Sequence, residues 1–108
     1  MAPADELRVR VLLSLQRALL GEVPPALRGV RVGWSPTALE FVAYFDGPIA
    51  EVDAESMSVI CAEVNADFLP EEPIADFRCL RCDAPAPLAV PTEWTFPDVA
   101  WVYLRRES

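Results

Sequence analysis

The chain has 108 residues, 53% of them hydrophobic, which supplies one compact core and is too short for two domains of ordinary size. Its 17 acids stand against 9 arginines for a net charge of −8, and lysine and histidine are both missing. Those absences exclude the usual near-neutral proton shuttle, the commonest metal ligand, Schiff-base chemistry and the phosphate-loop lysine, and the charge has the wrong sign for nucleic acid.

Asp5 to Leu20 reads as a first helix, with acids in its first turn, Gly21 as its C-terminal stop and Pro24-Pro25 beyond. Leu7, Val11, Leu12, Leu15, Ala18 and Leu19 fall on one arc, which Val9, Leu13 and Leu20 widen. An arc that wide predicts a helix covered over more than half its circumference, by the domain or by another chain. A hairpin follows: Val30, Val32 and Trp34 alternate with Arg31 and Gly33, Ser35-Pro36-Thr37 turns, and Leu39, Phe41, Ala43 and Phe45 alternate with Glu40, Val42 and Tyr44.

From Glu51 or Asp53 to Phe68 the spacing predicts a second helix whose core stripe is Met57, Ile60, Cys61, Val64 and Phe68. Ile74 to Cys82 reads as a third strand and Val99 to Arg105 as a fourth. Between them the proline-rich segment 83–97 reads as an irregular loop carrying Leu88, Val90, Trp94 and Phe96, either a lid over apolar surface or part of a contact. The expected architecture is therefore one α+β domain, 1–108, of order α-β-β-α-β-β. It has a four-stranded, mainly antiparallel sheet with two helices on one face and the second face open to solvent or a partner.

No stretch is long and apolar enough to span a membrane, since Val9 to Leu20 is broken by Arg10, Gln16 and Arg17, and no signal-peptide pattern precedes it. Three cysteines are an odd number for a disulfide framework, so a reducing cytoplasm is expected. Cys79-Leu80-Arg81-Cys82 has the C-x-x-C spacing, but residues three apart on a strand point to opposite faces, which argues against zinc and thiol redox chemistry. Carboxylates are plentiful, yet none sits in a catalytic motif, and no serine has a histidine to activate it. Neither an enzyme activity nor a metal or cofactor is expected.

The charge is segregated. Glu40, Asp46, Glu51, Asp53, Glu55, Glu63, Asp67, Glu71, Glu72 and Asp76 lie between Val32 and Phe77, and every arginine lies outside that span. Such a block suits an acidic surface that captures a cationic protein by electrostatic steering; it also suits a solvated helix face.

Leu15–Pro25, Tyr44-Phe45-Asp46-Gly47-Pro48-Ile49, Glu63-Val64-Asn65-Ala66-Asp67-Phe68 and Trp101-Val102-Tyr103-Leu104-Arg105-Arg106 resemble segments of small acidic bacterial immunity proteins of polymorphic or contact-dependent toxin systems. The resemblance implies a non-catalytic inhibitor of a cognate toxin, often a basic nuclease. The residues expected to carry the contact are Tyr44, as an aromatic anchor, with Asp46, Glu51, Asp53, Glu55, Glu63 and Asp67. A homodimeric structural or adaptor module, joined through the first helix and a sheet edge, is the alternative; the chain itself is expected to be a monomer or a homodimer.

Overall fold

The computed structural model describes residues 3–107. The elements follow the expected order: α1 (Pro3–Leu19), β1 (Leu27–Trp34), β2 (Ala38–Phe45), α2 (Glu51–Ala66), β3 (Ile74–Arg81) and β4 (Asp98–Leu104). Gly21 and Gly47 both take positive φ, 79° and 81°, the left-handed conformation that turns the chain out of α1 and out of β2 at little cost to glycine. Ser35 closes the β1–β2 hairpin by accepting from Ala38 N through its hydroxyl and donating its own N–H to Ala38 O.

The strands form one sheet of order β3-β2-β1-β4. β1 is antiparallel to both β2 and β4, but β2 and β3 are parallel, with Phe41 opposite Phe77 and Ala43 opposite Cys79. The expectation of a mainly antiparallel sheet is corrected here: the sheet is mixed. α2 provides the reason, because a helix in the β2–β3 connection carries the chain back along the sheet before β3 begins, so β3 starts where β2 started. The second helix-strand-strand run is likewise no repeat of the first. β3 and β4 lie on opposite edges, and segment 82–97 has to cross the sheet to connect them.

One face of the sheet carries the core. Val30, Val32, Trp34, Leu39, Phe41, Ala43 and Phe45 are buried against Val11, Leu15, Ala18 and Leu19 of α1 and Met57, Ile60, Cys61 and Val64 of α2. The stripe of α2 is therefore the one its period predicts, and Phe68 packs half-buried beyond the helix end. α1 departs from the wide arc: Val9, Leu13 and Leu20 remain exposed, so its covered sector is narrower than its apolar sector.

The second face is not open. Segment 82–97 lies across it as a strap, and Val42 and Tyr44 are buried beneath. Gly29 and Gly33 make room for it: a Cβ at Gly33 would stand 2.6 Å from the Phe96 ring, and one at Gly29 would meet Trp101, Leu104 and Leu88. Arginines tie it down. Arg28, only 4% exposed, donates to Cys82 O at 2.7 Å and Ala86 O at 2.9 Å, while Arg31 donates to Leu88 O at 3.1 Å.

Candidate partner-binding surface

The seven expected contact residues divide into two groups. Tyr44 is 1% exposed, with its hydroxyl donating to Ala89 O at 2.7 Å and its ring 5.8 Å from that of Trp101; burial pushes its phenol up from the ordinary value. While the strap is in place no partner reaches it, so the sequence-based expectation of an aromatic anchor there gives way to a strap-holding role. Asp46 is half-buried and accepts from Arg105 Nη2 and Ala84 N, both at 3.1 Å, which fastens the strap's first turn and the C-terminal segment. Asp67 accepts from Ser14 Oγ at 2.6 Å and Arg17 Nη2 at 3.3 Å, joining the end of α2 to α1.

Glu51, Asp53, Glu55 and Glu63 differ from these. All four sit on α2, and among the described residues none of them forms an ion pair. Glu51, Glu55 and Glu63 are exposed; Asp53 is half-buried, because at about 100° per residue it falls beside the Ile60–Val64 core stripe. Glu51 and Glu55 lie on the side opposite that stripe, while Glu63, about 18 Å from Glu51 along the helix axis, flanks the stripe on the side of α1. Val52 and Val59 are exposed on the same outward side, and the charge map alone does not single them out. Their signal is geometric: both positions fall opposite Met57, Ile60 and Val64 on the helical period.

The local energetics of this face are unfavourable in isolation. Ala50 provides no side-chain N-cap, and α2 has no basic residue in its last turn to complement the helix dipole. Glu51 and Glu55, four residues apart, repel each other at a cost of about 0.2–0.5 kcal/mol. Acids in the first turn interact favourably with the dipole, which explains Glu51 and Asp53 but not Glu63.

Elsewhere several acids are neutralised by arginines, some of them across long sequence separations. Arg10 grips Glu72 with both terminal guanidinium nitrogens and holds its carboxyl down to about 2; Arg28 and Arg105 hold Glu107 down to about 2 as well. Glu93 and Asp83 are also lowered, by Arg78 and Arg81. Downward shifts stabilise the ionised form and oppose the raised pKa that a carboxylate needs to donate a proton near neutrality. The acids of the α1–α2 groove, Glu63 and Asp67, sit in an open depression with Ser14 and Arg17.

The three cysteines are free thiols in different surroundings. Cys79 packs on the helix-covered core and Cys61 donates to Ala75 O, and burial raises both thiols. Cys82 turns under the strap, its thiol 3.4 Å from Pro87 O. Among the described residues no group of three or more cysteine, aspartate or glutamate side chains is placed to hold a metal ion, and no helix is long and apolar enough to cross a membrane.

A model of the MafI2 immunity protein family matches residues 8–107 of the chain. No curated protein matches it.

Proposed function

The chain belongs to the MafI2 immunity protein family, and from that premise we propose that it binds a cognate toxin in the bacterial cytoplasm through the outward face of α2 and blocks it without chemistry of its own. The supporting observation is a contrast between acids with an arginine partner, which hold the fold together, and the exposed Glu51, Glu55 and Glu63 of α2, which have no such partner among the described residues. An unneutralised acidic ridge raises the capture rate of a cationic partner, and the exposed Val52 and Val59 between the glutamates offer apolar contact once it has docked. A nuclease suits this surface because its substrate site is itself cationic, and carboxylates can occupy the place of phosphate. Asp53 lies at the margin of the contact; Tyr44, Asp46 and Asp67 serve the scaffold.

The probe is a cognate toxin domain, sought in the product of the gene adjacent to that of this chain. Glu51→Arg, Glu55→Arg and Glu63→Arg in one variant are expected to slow its association by about tenfold or more and to flatten the dependence of the on-rate on salt. Co-expressed with that domain, the variant protects cells less well than the native chain. An on-rate unchanged by the three reversals at every ionic strength would overturn the proposal.

A further inference from the structure

The two outer strands of the sheet present different edges. Along β3, Asn65 accepts from Ala75 N at 2.8 Å and donates to Ala75 O at 3.1 Å, and the Asp76 carboxylate accepts from Phe77 N at 2.8 Å. Arg78 and Arg81 add charge to the same strand. Side chains that occupy edge backbone groups, together with charge, are how a free strand is kept from recruiting another. β4 has neither device between Val99 and Leu104. That run, Val-Ala-Trp-Val-Tyr-Leu, contains no charge and no proline, and among the described residues no side chain bonds to its backbone. Apolar surface flanks it on both sides: Val99, Trp101 and Leu104 on the strap side, with Leu104 56% exposed, and Leu20 and Val23 at the end of α1, with Leu20 77% exposed.

We propose that β4 pairs antiparallel with β4 of a second copy of this chain, joining the two four-stranded sheets into one. Two placements select a second copy over another occupant. Asp98 and Arg106 bracket the strand, are both exposed, and have no ion-pair partner among the described residues. A two-fold axis near Val102 brings the Asp98 end of each strand to the Arg106 end of the other, so the two ends of the contact carry opposite charge and the contact is self-complementary. The β4 bulge, where the register against β1 shifts between Trp101 and Tyr103, lies at that axis, and pairing runs outward from it.

Charge favours the same arrangement. α2 packs over β3, on the far side of the sheet from β4, so the joined sheet carries its two acidic helices at opposite ends. Repulsion between copies that each carry −8 is thereby kept small, and both α2 faces stay free for their own partner. Because an isologous β4–β4 contact uses the free edge of both copies, and side chains and charge occupy part of the β3 edge, assembly closes at two copies.

Sedimentation of the full chain from micromolar to millimolar concentration tests this, with hydrogen exchange on the same samples. A species of twice the 11.9 kDa chain mass is expected, with β4 amides protected only as it forms. Asp98→Arg is expected to raise the dimer dissociation constant by about tenfold or more, and Arg106→Asp added to it to restore pairing. Leu104→Lys should abolish the dimer; far-UV circular dichroism verifies that each exposed-site variant is folded. A monomer throughout overturns the proposal, as does a dimer unmoved by Asp98→Arg and Leu104→Lys, failure of the double exchange to restore pairing, or β4 protection that appears only when a toxin domain is added. None of these positions lies on α2, so the variants should capture toxin as the native chain does and the outcome is separable from that of the α2 reversals.

Discussion

On one face of the sheet Val32, Phe41 and Phe45 lie under two helices; on the other, Val42, Tyr44 and Arg31 lie under a strap with no regular structure. Both faces are covered, yet by different means. The helical face is closed by interlocking apolar side chains, including Phe41 stacked on Phe77 with ring centroids 5.6 Å apart. Directed polar contacts close the strap face. Arg28 binds the Cys82 and Ala86 carbonyls, Arg31 binds Leu88 O and stacks 4.0 Å over Trp101, Glu40 accepts from the Trp94 indole, and Arg78 spans Glu40 and Glu93. Apolar burial is non-directional and spreads its stabilisation over many atoms, whereas a polar anchor concentrates it in a few groups that cannot be replaced one at a time. The first should fail globally and the second locally.

The largest effect expected is on the helical face. Phe41→Ala removes a fully buried ring from the centre of the core and should lower unfolding stability by about 3–5 kcal/mol, read as a fall in the urea midpoint and a loss of amide protection throughout. Arg28→Ala comes next. It strips the donor from two loop carbonyls and leaves Glu107 without its main partner, a loss of about 2–3 kcal/mol. Limited proteolysis should then cut within 82–97 while α1, α2 and the core strands stay protected. If Arg28→Ala exposes the helical layer as much as Phe41→Ala does, the two faces are one cooperative unit and the contrast fails.

The contrast also decides what the sequence could reveal. Elements that bury one apolar face declare themselves by period: β1, β2 and α2 lie close to their expected positions, and the Met57–Ile60–Val64 stripe is the one that packs. Periodicity is silent on which strand neighbours which, so the parallel β2–β3 pair and the separation of β3 from β4 were not legible. The apolar residues of the strap made a lid legible, but its anchors were not: Arg28, Arg31 and Arg78 meet it through carbonyls and carboxylates far along the chain, and no spacing encodes those pairings. Tyr44 followed the strap, from an expected exposed anchor to a buried hydroxyl. The acidic block was legible as composition, but its division into scaffold and free acids depends on Arg105 reaching Asp46 across 59 residues and Arg17 reaching Asp67 across 50.

Acid supplies the mildest probe, because each face has one carboxylate drawn down to about 2 from an ordinary 4.5: Glu72 by Arg10 on the helical side, Glu107 by Arg28 and Arg105 at the strap. A carboxyl whose pKa is lower folded than unfolded binds its proton more readily in the unfolded chain. Its contribution is therefore fully present above pH 4.5 and is lost as the pH falls from there towards 2. Both carboxylates are on the surface, where solvent and salt weaken the pair, so the loss is small beside that from Phe41→Ala. Glu107→Gln should flatten the acid limb of the stability curve and spare the helical layer. The three tryptophans allow this to be read by place, since the indole N–H signals of Trp94 and Trp101 report the strap side and that of Trp34 the helical side. As the pH is lowered in the native chain, the first two should broaden or shift before the third, and in Glu107→Gln they should already be displaced at neutral pH. An acid limb as steep in Glu107→Gln as in the native chain would mean that the strap is not held by this charge, and that apolar contacts such as Phe96 over Gly33 carry it instead.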